Sequence, residues 1–225
     1  LPLTLEGNEP VEWQGETPQL RWRWQGEGVL ELTPRQPYRQ AMVMSAGVHG
    51  NETAPIELLN QLVGDLLAGR LPLKVRLLVV LGNPAAMRAG KRYLHSDMNR
   101  MFGGRYRNFA ASGETVRAQQ LERALAAFFD GEQAARFHYD LHTAIRESRL
   151  PRFGILPFQK RPYSEPMLQL LDAADLDALV VHSAPGGTFS HYSSEHLNAA
   201  SCTLELGKAR PFGSNDLQQF RSEEH

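Results

Sequence analysis

The chain has 225 residues, of which 42% are hydrophobic and 22% charged, and a net charge of −1. That length suits one large α/β domain with its own core, and the ordinary composition excludes collagen, coiled coil and extended disorder. The near-zero charge disfavours a general nucleic-acid binder, and no apolar run approaches the roughly 20 residues of a membrane span.

Nothing at the start reads as a signal peptide. The single cysteine, Cys202, excludes an intrachain disulfide and points to a reducing, cytoplasmic setting.

Residues 1–37 carry period-2 alternation, with Leu20, Trp22 and Trp24 on one face and a Gly26–Gly28 turn leading into Val29–Leu32. This predicts a small N-terminal β meander. Ala41–Val48 then reads as a buried strand, followed by a helix over Glu52–Leu67 whose apolar residues recur at helical spacing. Val75–Leu81 is a second strand, closed by the Asn83-Pro84 turn pair. Met87–Asn108 is irregular and basic, and a further helix fits Gly113–Phe129.

Strands are predicted at Phe137–Leu141 and Phe153–Pro157, then a helix at Glu165–Ala174 and a strand at Ala178–His182. A Gly186-Gly187 turn, a strand at Ser201–Leu206 and a last helix from about Ser214 complete the pattern. Strands alternating with helices predict an α/β fold with a mostly parallel or mixed sheet flanked by helices. The α/β core is expected over 41–220, within a single domain.

In such sheets ligands bind beyond the carboxyl ends of the strands. Three predicted strands end in reactive residues: Gly47-Val48-His49-Gly50-Asn51-Glu52, Asp140-Leu141-His142, and Thr203-Leu204-Glu205-Leu206-Gly207. His49 and Glu52 form an H-x-x-E pair that the spacing places on one face of a helix start. With His142 from another strand they make a His₂Glu set, the donor composition of a hydrolytic zinc site. The alternative is a capping pair beside a satisfied core histidine.

Glu205 lies in an otherwise apolar strand, where an unpaired carboxylate is costly; a salt bridge with Lys208 or an arginine is its structural alternative. Asp140 and His138 share a strand face with His142, so Asp140 is a candidate to orient a ligand or Arg92. The Met87–Arg107 stretch has six cations against one acid, Asp97. Arginine forks there suit a substrate carrying carboxylates, whereas Arg88, Arg105 and Arg107 are expected to form a solvated loop face. His95, His182, His191 and His196 are weaker candidate ligands, and Cys202 is a poor nucleophile inside an apolar strand.

The order of these motifs resembles the zinc carboxypeptidase superfamily, in its aspartoacylase and succinylglutamate desuccinylase branch. The matching segments are Gly47–Glu52, Asn83-Pro84-x-Ala86, Arg92-Tyr93, Asp97–Phe102, Asp140-Leu141-His142 and Leu204–Lys208. The wording of Thr203–Gly213 sits nearer the desuccinylase side.

The resemblance implies one Zn²⁺ per chain on His49, Glu52 and His142. It implies that Glu205 activates the attacking water, that Arg92 polarises the scissile carbonyl, and that Asn99 and Arg100 hold a substrate carboxylate. The implied partner is a small dicarboxylic N-acyl amino acid, with neither nucleic acid nor membrane. The implied reaction is hydrolysis of N-succinyl-L-glutamate to succinate and L-glutamate in arginine breakdown. Another N-acyl-amino-acid deacylase or a zinc carboxypeptidase is the alternative; a non-catalytic binding module is disfavoured by the retained residues. Ser193–His196 stands where aspartoacylases carry a substrate-binding arginine, which argues against N-acetylaspartate. The family's smaller β-rich C-terminal domain is expected to be absent from this sequence.

Overall fold

A computed structural model describes residues 1–144 and 150–217. One nine-stranded mixed sheet runs through it in the order β1-β2-β3-β5-β4-β6-β9-β7-β8. The meander supplies β1 (Gln14–Glu16), β2 (Leu20–Gly26) and β3 (Val29–Pro34), all antiparallel. It continues the main sheet, because β3 pairs antiparallel with β5 (Arg76–Leu81). The central strands β5, β4 (Gln40–Ala46), β6 (Ala135–Ala144) and β9 (Ala200–Lys208) are mutually parallel, so their carboxyl ends share one edge. Strands β7 (Arg152–Leu156) and β8 (Ala178–Val181) finish the sheet, β7 antiparallel to β9.

Strand β5 shows how alternation builds three layers. Leu77, Val79 and Leu81 join one buried cluster, packed with Ile56, Leu59 and Leu66 of α2 (Thr53–Leu67) and with Met167 and Leu171 of α5 (Glu165–Ala173). Leu78 and Val80 point the other way. They meet Leu121, Leu125, Phe128 and Phe129 of α4 (Gly113–Phe129) and Phe189 and Tyr192 of α6 (Phe189–Leu197). Helix α4 begins with a reciprocal Ser112–Thr115 capping box.

Several details differ from the sequence reading. Helix α2 starts at Thr53, with Glu52 outside it at φ −92°, ψ 77°. His49 and Glu52 therefore approach each other across a strand-to-helix loop rather than along a helix face. The short helices α1 (Pro2–Glu6) and α3 (Pro84–Arg88) and the whole of α6 were not predicted. In α6 the reason is chemical: its buried residues include Ser190, His191, Ser193 and Ser194, so polar side chains occupy the face where apolar periodicity is sought. Ser214–Asp216 are not helical, and the remainder of the helix predicted there, residues 218–225, lies outside the described residues. Among the described residues no helix is long and apolar enough to cross a membrane.

One buried ion cluster ties the meander to the core. Arg76 pairs with Glu31 at 2.8 Å and with Glu132 at 3.0 Å, and its guanidinium lies 4.4 Å from the Phe128 ring centre. Burial pushes the Glu31 carboxyl up, but hydrogen bonds from Arg23 and Arg76 outweigh it and hold the group below 4.5. Arg76→Ala is expected to destabilise the fold by about 3 kcal/mol, the scale for stripping a buried carboxylate of its partner. A lowered folded pKa means that this stabilisation is present above the ordinary carboxylate range and lost as pH falls through it. Urea midpoints of the two proteins should therefore converge on acidification; a constant gap would contradict the assignment.

Candidate active site

The parallel strand ends place the site. His49 and Glu52 follow β4, His142 ends β6, and Glu205 sits on β9 as the register partner of His142. Paired positions on neighbouring strands present side chains to the same face, so the register itself brings Glu205 beside His142. The loop after β4 fits only because residue 50 is glycine. A Cβ there would lie 2.3 Å from backbone atoms of Ala86 and Met87 in α3. The Gly50 N–H also donates to the Arg92 carbonyl at 3.1 Å, which fixes the loop that carries this arginine.

His49, Glu52 and His142 are each at most 3% exposed. One donor atom from each lies within 4.8 Å of the others, a group that could hold a metal ion. His142 Nδ1 lies 2.9 Å from Glu52 Oε2, and its Nε2–H donates to Asp140 Oδ2 at 2.9 Å. His49 repeats the pattern: Nδ1 is 2.9 Å from Glu52 Oε1, while Nε2–H donates to Asp97 Oδ1 at 2.9 Å. The contact at His49 Nδ1 is close but misaligned for hydrogen bonding, which leaves that atom buried and without a hydrogen-bond partner.

Each imidazole thus has a carboxylate behind its outer nitrogen and turns the inner nitrogen toward Glu52, the arrangement that orients histidine ligands on metals. Burial opposes charge on His142, yet the flanking Asp140 and Glu52 carboxylates raise its pKa well above 6.5. Two carboxylates facing one buried imidazole favour positive charge between them. Zinc, a borderline metal content with nitrogen and carboxylate donors, fits this set.

The remaining predicted residues line the same cavity, which has a volume of about 280 Å³. Arg92 Nη1 donates to Glu52 Oε1 at 2.7 Å, with its side chain 28% exposed. Asn99 uses its amide oxygen to accept the Phe189 N–H at 3.0 Å, leaving its NH₂ as the donating end. Arg100 Nη1 donates to the Asn99 carbonyl, and the Arg100 backbone packs against Gly187, where a Cβ would lie 2.4 Å from its carbonyl oxygen. The Glu205 carboxyl is raised above 4.5 by burial first, with Glu52 and Asp140 adding to the rise against His142. Its Oε2 is buried with no hydrogen-bond partner.

Asp97 joins this cluster behind His49, and sequence reasoning assigned it no part there. Its signal was there: it is the lone acid in the basic stretch. Asp140 contacts His142 and not Arg92. His182 lines the cavity but is not one of the clustered donors, and His95, His191 and His196 do not line it. Cys202 is fully buried and its thiol is pushed up to about 12, which makes it inert. Arg88 is not simply solvated, since it binds the Thr4 carbonyl and Glu27.

A second, apolar cavity lies between α1, the meander and α2, lined by residues such as Trp22, Trp24, Leu59 and Val63. Titratable side chains are absent from its lining, whereas the polar cavity holds the clustered donors.

Comparison with known proteins follows the same line. The sequence model of the succinylglutamate desuccinylase/aspartoacylase catalytic domain matches residues 38–224. A succinylglutamate desuccinylase of Serratia proteamaculans is 79% identical over 220 residues, which is 98% of this chain and 67% of that protein. One from Yersinia pestis is 62% identical over 98% of this chain and 67% of its own length. The chain thus spans about two thirds of the length of these relatives. Among solved structures, succinylglutamate desuccinylase of Chromobacterium violaceum superposes with a TM-score of 0.89 at 42% identity, covering 97% of this chain and 69% of that one. Murine aminoacylase 3, with a TM-score of 0.57 at 24% identity, covers 82% of this chain and 61% of its own and shares the fold. The chain belongs to the succinylglutamate desuccinylase/aspartoacylase family, through its catalytic domain.

Proposed function

We propose that this chain is the catalytic domain of a zinc-dependent amidohydrolase that cleaves N-succinyl-L-glutamate to succinate and L-glutamate, a cytoplasmic step of arginine breakdown. The observation that carries the reading is the carboxylate-backed His49–Glu52–His142 cluster, with Glu205 and Arg92 on the wall of the same cavity. The names of relatives up to 79% identical support the substrate. The lone buried Cys202 suits a reducing compartment.

His49 and His142 would hold zinc through Nδ1 and Glu52 through its carboxylate. When bound, zinc supplies Lewis-acid polarisation and a water that ionises near neutral pH. Glu205 takes a proton from the attacking water and delivers it to the leaving glutamate nitrogen. Arg92 faces the scissile carbonyl, where negative charge develops during attack. Asn99 and Arg100 donate to a glutamate carboxylate, present in ground state and transition state alike.

The two arginines should therefore behave differently. Arg92→Ala is expected to lower kcat, because its contact strengthens in the transition state. Arg100→Ala is expected chiefly to raise KM. The reading is tested by comparing substrates with the full-length protein. N-succinylglutamate should be hydrolysed far faster than N-acetylaspartate; comparable kcat/KM for the two would overturn the desuccinylase assignment and leave a broader deacylase.

A further inference from the structure

Behind Asp140 runs a buried polar chain that the reaction described above does not use. It links Ser45 on β4, His138 and Asp140 on β6, Ser193 on α6 and Ser201 on β9, each at most 1% exposed. Ser45 Oγ–H donates to Asp140 Oδ1 at 2.6 Å. A hydroxyl has one proton, so the 2.8 Å contact between Ser45 Oγ and His138 Nε2 must carry the imidazole's proton. Burial lowers the His138 pKa to about 4, so this ring is neutral and its Nδ1 is an acceptor. Ser193 Oγ lies 2.7 Å from Nδ1, within reach of the Ser190 carbonyl at 3.0 Å, and 2.9 Å from the Ser201 hydroxyl.

The His138 proton points at Ser45, and the Ser45 and His142 protons point at Asp140. Asp140 receives Ser45 Oγ–H on one oxygen and His142 Nε2–H on the other, and it has no other hydrogen-bond partner among the described residues. Two donors of fixed direction hold that carboxylate in the plane that keeps the His142 proton on Nε2. Nδ1 of His142, 2.9 Å from Glu52 Oε2, is then the nitrogen that would give up its proton to bind a metal.

We propose that Ser45 and His138 are positioning residues that set the metal affinity of His142 by fixing the orientation of Asp140. The inference rests on the proposed metal role of His142. A polar chain with a purely structural role would contribute to stability and leave metal affinity alone.

The test is the zinc dissociation constant of the full-length protein, read by competition with a chromogenic chelator, beside the thermal midpoint. Outer-shell partners of metal ligands typically tune affinity 10–100-fold; one step further out, Ser45→Ala is expected to weaken zinc binding by roughly 3–10-fold. His138→Leu should do the same. His138→Gln, whose side-chain amide can still donate to Ser45, should recover most of the affinity. Equal zinc affinity in Ser45→Ala, His138→Leu and the parent would overturn the proposal, as would equal losses in His138→Leu and His138→Gln that follow the thermal midpoint. His142→Ala separates the two levels of the argument. If it loses zinc while Ser45→Ala and His138→Leu do not, only the positioning role fails; if it keeps zinc, the metal-site reading fails with it.

Discussion

Glu205→Gln is expected to lower kcat by about 10²–10⁴-fold, the usual scale for removing a positioned general base, while zinc content stays at the parent level. Glu205 stands next to His142 through the β6–β9 register but is not one of the clustered donors. The amide keeps the shape of the carboxyl and removes its basicity. Glu205 is also the carboxylate on the cavity wall whose Oε2 is buried without a partner, so no pairing in the fold depends on its charge at that atom. Asp140 is no substitute: it is fully buried, and its two oxygens are engaged by Ser45 and His142. Parent-like turnover in a zinc-replete Glu205→Gln protein would remove the base from Glu205.

His142→Ala is expected to weaken zinc binding by more than 10²-fold, beyond the 10–100-fold typical of an outer-shell partner. It deletes one of three ligands and strands two buried carboxylates, Asp140 and Glu52, that face the imidazole from either side. Asp97→Ala makes a graded comparison. It removes the acceptor behind His49 but no donor to the metal, so a loss of about 10–100-fold is expected. Metal titration of the three proteins should rank the parent tightest, Asp97→Ala next and His142→Ala weakest. Equal affinity in Asp97→Ala and His142→Ala would contradict the division between ligand and support.

The sequence made the candidate ligands legible because each follows a predicted strand in an α/β pattern, and parallel strands gather such ends on one edge. Alternation made β2 legible, a short apolar run made β5 legible, and helical spacing did the same for α2. What stayed hidden depends on contacts distant in the chain. Asp97 meets His49 across 48 residues, with no local periodicity to announce it. The His142–Glu205 pairing requires β9 to enter the sheet beside β6, although β7, β8 and α6 intervene in sequence. Helix α6 escaped because serines and a histidine fill its buried side, where an apolar stripe is normally sought, and Ser190 and Ser193 bond to β6 and β9. The H-x-x-E spacing was informative for the wrong geometric reason, since a loop and not a helix face brings the pair together.

The most direct measurement is succinate release from N-succinyl-L-glutamate by one preparation of the full-length protein, before chelation, after chelation and after zinc is restored, with metal content determined at each stage. Near one zinc per chain is expected at the start, with loss of turnover when the metal is removed and recovery of both together. Undiminished turnover in protein shown to be free of metal would contradict it.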